Sequence, residues 1–116
     1  MAVVHEADET ARVLATRVER AESLLAQARG LMFRRSVPAD YALVFPFEEV
    51  GRRSVHMLFV PFALDVLWLV DGRVERVETL SPWRGLAAAR ADTLVELPAG
   101  AAADVSPGDA VAVDDG

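Results

Sequence analysis

Leu64-Asp65-Val66-Leu67-Trp68-Leu69-Val70 runs directly into Asp71-Gly72, and a second strand-like segment, Arg73 to Leu80, follows at once. Nothing else in the chain limits its fold as much. An Asp-Gly connection between two such arms suits a type I′ turn, which needs positive φ at both central positions and joins antiparallel strands. The first arm is apolar at nearly every position, the pattern of a strand covered on both faces. A buried strand with a hairpin partner therefore sits near the middle of the chain, and a sheet must form around it. The second arm alternates poorly, which predicts an edge strand or a bulge.

The other segments are read around that hairpin. Ser54 to Val60 is the second core strand, separated from Leu64 by Pro61-Phe62-Ala63. Thr10 to Val18 and Thr93 to Leu97 read as strands, Tyr41 to Phe45 as a short strand ended by Pro46, and Ala110 to Val113 as the last. Leu24, Leu25, Ala28, Leu31 and Met32 recur at helical spacing, with Ser23 as N-cap and Gly30 just past the end. Glu48 to Arg53 reads as a charged turn and Ser81 to Arg90 as a loop. Met1 to Glu9 is expected to be a loose leader and Asp114 to Gly116 a solvated end, leaving one domain over residues 10–113.

Composition excludes more than it names. Cysteine is absent, which removes disulfides, thiolate catalysis and cysteine metal sites. All twelve basic residues are arginine; without lysine there is no Schiff base and no phosphate-loop lysine. Isoleucine and asparagine are missing too, as a GC-rich genome would produce. A lysine-free acidic surface also suits a salt-loaded cytoplasm, so a haloarchaeal source is expected ahead of a GC-rich actinobacterium. Met1 to Asp8 has no basic and apolar leader, and the longest apolar run, Val55 to Val70, is broken by His56, Pro61 and Asp65. A cytoplasmic location follows as an expectation. The net charge of −6, with no basic stripe, disfavours nucleic acid and membrane surfaces. Elbow, phosphate-loop, dinucleotide and His-Glu-x-x-His motifs are all missing, and no cofactor is implied.

One string, Gly30-Leu31-Met32-Phe33-Arg34, is more distinctive than generic core. With Met57, Pro61, Leu64-Asp65, the Asp-Gly hairpin, Pro82, Glu96-Leu97, Ala99-Gly100 and Gly108-Asp109, it resembles the family known as domain of unknown function 192. The likeness covers roughly residues 12–113. Many members carry an aromatic-Met-Lys-Asn-Thr string where this chain has His56-Met57-Leu58-Phe59-Val60, so the polar roles of that string do not transfer. The family has no established activity. The resemblance implies a mainly β fold with a helix near the start.

Asp65 is the residue most in need of a partner. On a strand covered on both faces its carboxylate must be hydrogen-bonded, ion-paired or protonated. Arg34 is the first candidate partner and Arg53 the second, because a guanidinium can bind both oxygens. The pair can be a structural lock or part of a site. His56 reads as a base or ligand near Asp65, or as a histidine on an open strand face; alone it lacks the other ligands of a zinc site. Arg34-Arg35 and Arg52-Arg53 can form an anion pocket or remain solvated loop charge. Trp83-Arg84 can line the same cleft by stacking, or Trp83 can lid one end of the core.

These readings converge on an α+β, mainly β domain: a small, twisted, partly closed, barrel-like sheet with one N-terminal helix packed over it. The expected role is a non-enzymatic module that binds a small anionic ligand or a protein partner through Arg34, Arg53, His56, Asp65, Trp83 and Arg84. The alternative is a small hydrolase or transferase using Asp65 or His56 with Arg34. A monomer is expected, without metal.

Overall fold

The computed structural model describes residues 1–7 and 9–114, the side chains of Leu24, Leu25 and Ala28 excepted. In chain order the elements are β1 (Ala2–Ala7), β2 (Thr10–Ala15), β3 (Arg17–Arg20), α1 (Leu24–Arg29), β4 (Tyr41–His56), β5 (Leu64–Val70), β6 (Arg73–Leu80), β7 (Leu86–Pro98) and β8 (Ala110–Asp114). The strands form one eight-stranded sheet in the order β2-β1-β8-β6-β5-β7-β4-β3. Pairing is antiparallel except between β3 and β4.

The hairpin forms as its turn chemistry requires. Val70 pairs with Arg73, and Asp71 and Gly72 take φ of 50° and 76°. The expected irregularity of the second arm appears as a register shift between Trp68 and Leu69 against Arg76 and Val74. The second arm is no edge, however, because Arg73 pairs on its other side with Ala110 of β8.

The strand carries a core on each side. One face packs Tyr41, Phe45, Met57, Leu64, Val66 and Trp68. The other packs Val3, Leu14, Val44, Leu67, Val95 and Leu97. Residues from both ends of the strand order thus share the second core, so the sheet curls over itself. It does not close: β2 and β3 remain separate ends, and the barrel-like expectation is corrected to an open, curled sheet.

The helix shrinks as well. Only the six residues Leu24–Arg29 are helical, under two turns. Ser23 Oγ accepts from the Ala26 N–H at 3.0 Å, and Gly30, at φ 51°, donates its N–H to the Ala26 carbonyl. A segment this short cannot make a layer over the sheet, so the α+β expectation reduces to a mainly β fold. The expected contacts of Leu24, Leu25 and Ala28 lie outside the described side chains, and Asp115-Gly116 outside the described residues.

Other differences share one cause, that partners rather than local preference make a strand. The expected loose leader contains β1, which lies between β2 and β8. Thr10 to Val18 is two strands, broken where the N–H groups of Thr16 and Arg17 both donate to the Asp40 carbonyl. Tyr41–His56 is one strand through Pro46 and the expected charged turn, with an irregularity between Pro46 and Gly51 while its partner moves only from Thr93 to Ala91. The expected loop at Ser81 to Arg90 ends early, because Ala87, Ala88 and Ala89 pair with Val55, Ser54 and Arg53.

Gly85 closes the short connection before β7. A Cβ there would lie 2.7 Å from Leu80 Cβ, 2.8 Å from Met57 Cγ and 2.9 Å from Ser81 N. Gly85→Ala is expected to destabilise by about 1–3 kcal/mol through overpacking, seen as a lower urea midpoint. An unchanged midpoint would mean that this connection can move aside freely.

Candidate functional site

Asp65 is buried, at 3% exposure, but no guanidinium meets it. It points to the Leu67 side of the sheet. Its Oδ1 accepts from Thr79 Oγ1 at 2.7 Å, and its Oδ2 accepts from the backbone N–H groups of Gly100 and Ala102, each at 2.9 Å. Asp65 therefore clamps the turn that follows β7. The expected Arg34 or Arg53 pairing is corrected: those arginines serve the opposite face.

Arg34 instead donates to the Tyr41 hydroxyl at 3.3 Å and to Glu19 at 3.2 Å. Arg53 lies over the Phe47 ring, 3.9 Å from its centroid, and donates to the carbonyls of Ala91 and Glu49. His56 is exposed, and its Nδ1 accepts from the Leu58 N–H at 3.2 Å, which leaves Nε2 for another partner. His5, expected in a loose leader, is buried on β1 and bonded to Asp109 at 2.8 Å. Trp83 joins a different feature. Phe33 and Phe59 stack with centroids 4.9 Å apart, and Trp83 meets Phe59 edge-on at 6.3 Å. All three hold left-handed backbone, with φ of 69°, 62° and 66°. Trp83 is 54% exposed, so it is no lid over the core. Arg84 is exposed beside it.

The concave site is elsewhere. A cavity of about 390 Å³ opens between the Gln27–Met32 segment and the faces of β4, β5 and β7. Its buried floor contains Leu31, Phe45, Leu64, Leu94 and Glu96. Its exposed rim contains Arg29, Arg52, Ser54 and His56. The β4 irregularity, a device common beside sites, places Phe47, Arg52 and Arg53 on this side.

Glu96 is the residue that sequence reasoning missed. It stands on β7 between Leu43 of β4 and Val66 of β5. Residues 94, 95 and 97 are apolar and buried, and Glu96 shares its face with Leu94. It is 6% exposed and has no hydrogen-bond or ion-pair partner among the described residues. Among the described residues no fully enclosed side-chain oxygen is left unpaired, so the carboxyl keeps some access, and it lines the cavity. Burial pushes Glu96 up to about 8, so at neutral pH it holds its proton. Gly30, required here by its positive φ, lies above it: a Cβ at this position would be in ordinary contact with both, 3.7 Å from Glu96 Oε1 and 3.5 Å from Phe45 Cζ. The Glu96-Leu97 string was visible as a family feature, yet only pairing on both sides of β7 reveals that it is buried.

Of the six expected site residues, the cavity brings together Arg53 and His56. Arg34, Asp65, Trp83 and Arg84 do not line it. Asp65, His56 and Arg34 do not converge. Among the described residues no group of three His, Asp or Glu could hold a metal ion, and no helix is long and apolar enough to cross a membrane.

Known proteins share this architecture. A structure from Sinorhizobium meliloti described as a putative transcription regulator superposes with a TM-score of 0.85 at 26% identity, over 95% of this chain and 90% of that one. A protein of unknown function from Novosphingobium aromaticivorans gives 0.84 at 24% identity, over 97% and 84%, and shows the fold alone. A UPF0127 protein of Thermococcus kodakarensis is 35% identical over 69 residues, 59% of this chain and 44% of its own length. Another from Thermococcus gammatolerans is 35% identical over 74 residues, 63% and 48%. The match thus spans about half the length of these curated relatives. Neither supports the expected haloarchaeal source. With residues 3–113 matching its profile, the chain belongs to DUF192, a family of uncharacterised proteins whose function is unknown.

Proposed function

We propose that this chain is a non-enzymatic binding module and that the cavity above Glu96 holds a small organic anion. One observation carries the reading: a cavity of ligand size has a buried, unpartnered carboxyl at its base and arginines at its mouth. Arg29 and Arg52 are exposed, line the cavity and have no ion-pair partner among the described residues. Arg53, stacked on Phe47, is held rigidly enough to add direction to charge. The proposed site keeps Arg53 and His56 from the sequence expectation and sets Glu96 in the place given to Asp65, while Arg34, Trp83 and Arg84 lie outside it.

The regulator description belongs to the Sinorhizobium structure, and the charge of this chain does not favour nucleic acid. A net charge of −6 repels a phosphate backbone. A monomeric state accords with the β3 edge, four residues long and carrying Arg17, Glu19 and Arg20.

Arg52→Ala tests the reading, with caproate as the probe and affinity read by NMR titration at low salt. Loss of one charged contact is expected to weaken binding about fivefold to tenfold while the unfolding midpoint stays put. Equal affinity for the variant and the parent would remove the basis for an anion site.

A further inference from the structure

We propose that the ligand of this cavity is a zwitterion, bound with its cationic nitrogen on Glu96 and its anionic end at the arginine rim. The inference rests on the anion-site reading above and adds the other half of the ligand. Glu96 is 6% exposed and lines the cavity, with no partner among the described residues. An isolated carboxyl in such a place lacks the hydrogen bonds a buried polar group needs. A protonated amine or amidine would supply both a counter-charge and short charge-assisted hydrogen bonds. A plain anion would bring no such partner, and would meet a like charge whenever Glu96 ionised.

The walls set the rest of the molecule. Leu31, Phe45, Leu64 and Leu94 line the buried floor around the carboxyl, while Arg29 and Arg52 stand at the exposed rim, so the two charged ends are best joined by an apolar body. At about 390 Å³ the space suits one small molecule rather than a peptide segment.

Binding then moves a proton. Without ligand, Glu96 carries its proton at neutral pH because burial disfavours the anion. When an ammonium group docks, the carboxyl becomes the stable anion of a buried pair and one proton passes to the solvent. The other charged or titratable groups lining the cavity are Arg29 beside the Gly30 turn and Arg52, Arg53 and His56 on β4. From β5, Leu64, Val66 and Trp68 face this side and none of them carries a charge, because Asp65 serves the opposite core. His56 is the imidazole on the cavity rim, and its own variant separates its part from that of Glu96.

The test compares ε-aminocaproate, caproate and hexylamine by titration calorimetry near neutral pH, in two buffers of different protonation enthalpy. The zwitterion is expected to bind at least about tenfold tighter than either single-ended probe. It should release close to one proton per site, and caproate none. Glu96→Gln should lower the zwitterion to the affinity of caproate and abolish the release, whereas His56→Gln should leave the release intact. Caproate matching the zwitterion, or release that survives Glu96→Gln, overturns this inference while the anion site stands. Caproate that fails to bind, or binds without regard to Arg52→Ala, overturns the anion site and this inference together.

Discussion

Asp65→Ala is expected to lower the unfolding free energy by about 4 kcal/mol, and Asp65→Asn by only about 1–2 kcal/mol. The difference comes from where the oxygens point. Oδ2 accepts both backbone N–H groups, from Gly100 and Ala102, while Oδ1 faces only the Thr79 hydroxyl. Asparagine can keep its oxygen in the first position and turn its amide toward a hydroxyl that also accepts. Alanine leaves two backbone donors and Thr79 without a partner at a site that is 3% exposed. For a domain of ordinary stability the alanine variant would be near the unfolding threshold at room temperature. Urea denaturation of both variants checks this. Equal losses would show that the negative charge matters, not the hydrogen-bond pattern, and would reopen the case for a cation near Asp65.

Glu96 should make the protein lose stability as pH rises. Its folded value is about 8 against an ordinary 4.5, a raised acid. The neutral form suits the fold, so the contribution is complete below the unfolded value and is lost as pH climbs through the folded one. Across that window the loss is roughly 3–5 kcal/mol. Asp40 and Asp109 work in the other direction. The Thr16 hydroxyl holds Asp40 below the usual carboxylate range, and the Ser106 N–H and His5 do the same for Asp109. Their support is lost as pH falls through their folded values. Greatest stability is therefore expected at mildly acidic pH. Glu96→Gln should flatten the alkaline side, leaving the variant more stable than the parent by about 3 kcal/mol near pH 9. Chemical denaturation at a series of pH values measures it. A parent profile that stays flat between pH 5 and 9 would mean that the carboxyl is already solvated or paired.

The two carboxylates show how far residue pattern reaches. Asp65 was legible as buried because its strand is apolar on both faces over seven residues. The identity of its partner was not, since parity along β5 sends it to the Leu67 side while the Gly30 turn covers the other. Glu96 sits in Leu94-Val95-Glu96-Leu97, where alternation alone allows a solvated position. It is flanked by β4 and β5 and lies under the Gly30 turn at the base of the cavity, three contacts from distant parts of the chain.

Short-range chemistry by itself determined the β5–β6 hairpin, the Ser23 and Gly30 caps and the exclusion of thiol, lysine and phosphate-loop chemistry, because each depends on neighbours in the chain or on residue type alone. Tertiary structure decided that residues 2–7 are a strand, that β4 runs on through Pro46, that the sheet curls without closing, and that Glu96 rather than Asp65 faces a cavity. Those outcomes rest on which strand lies beside which, and on which face a turn returns to cover. Such pairings join positions tens of residues apart, and no local preference encodes them.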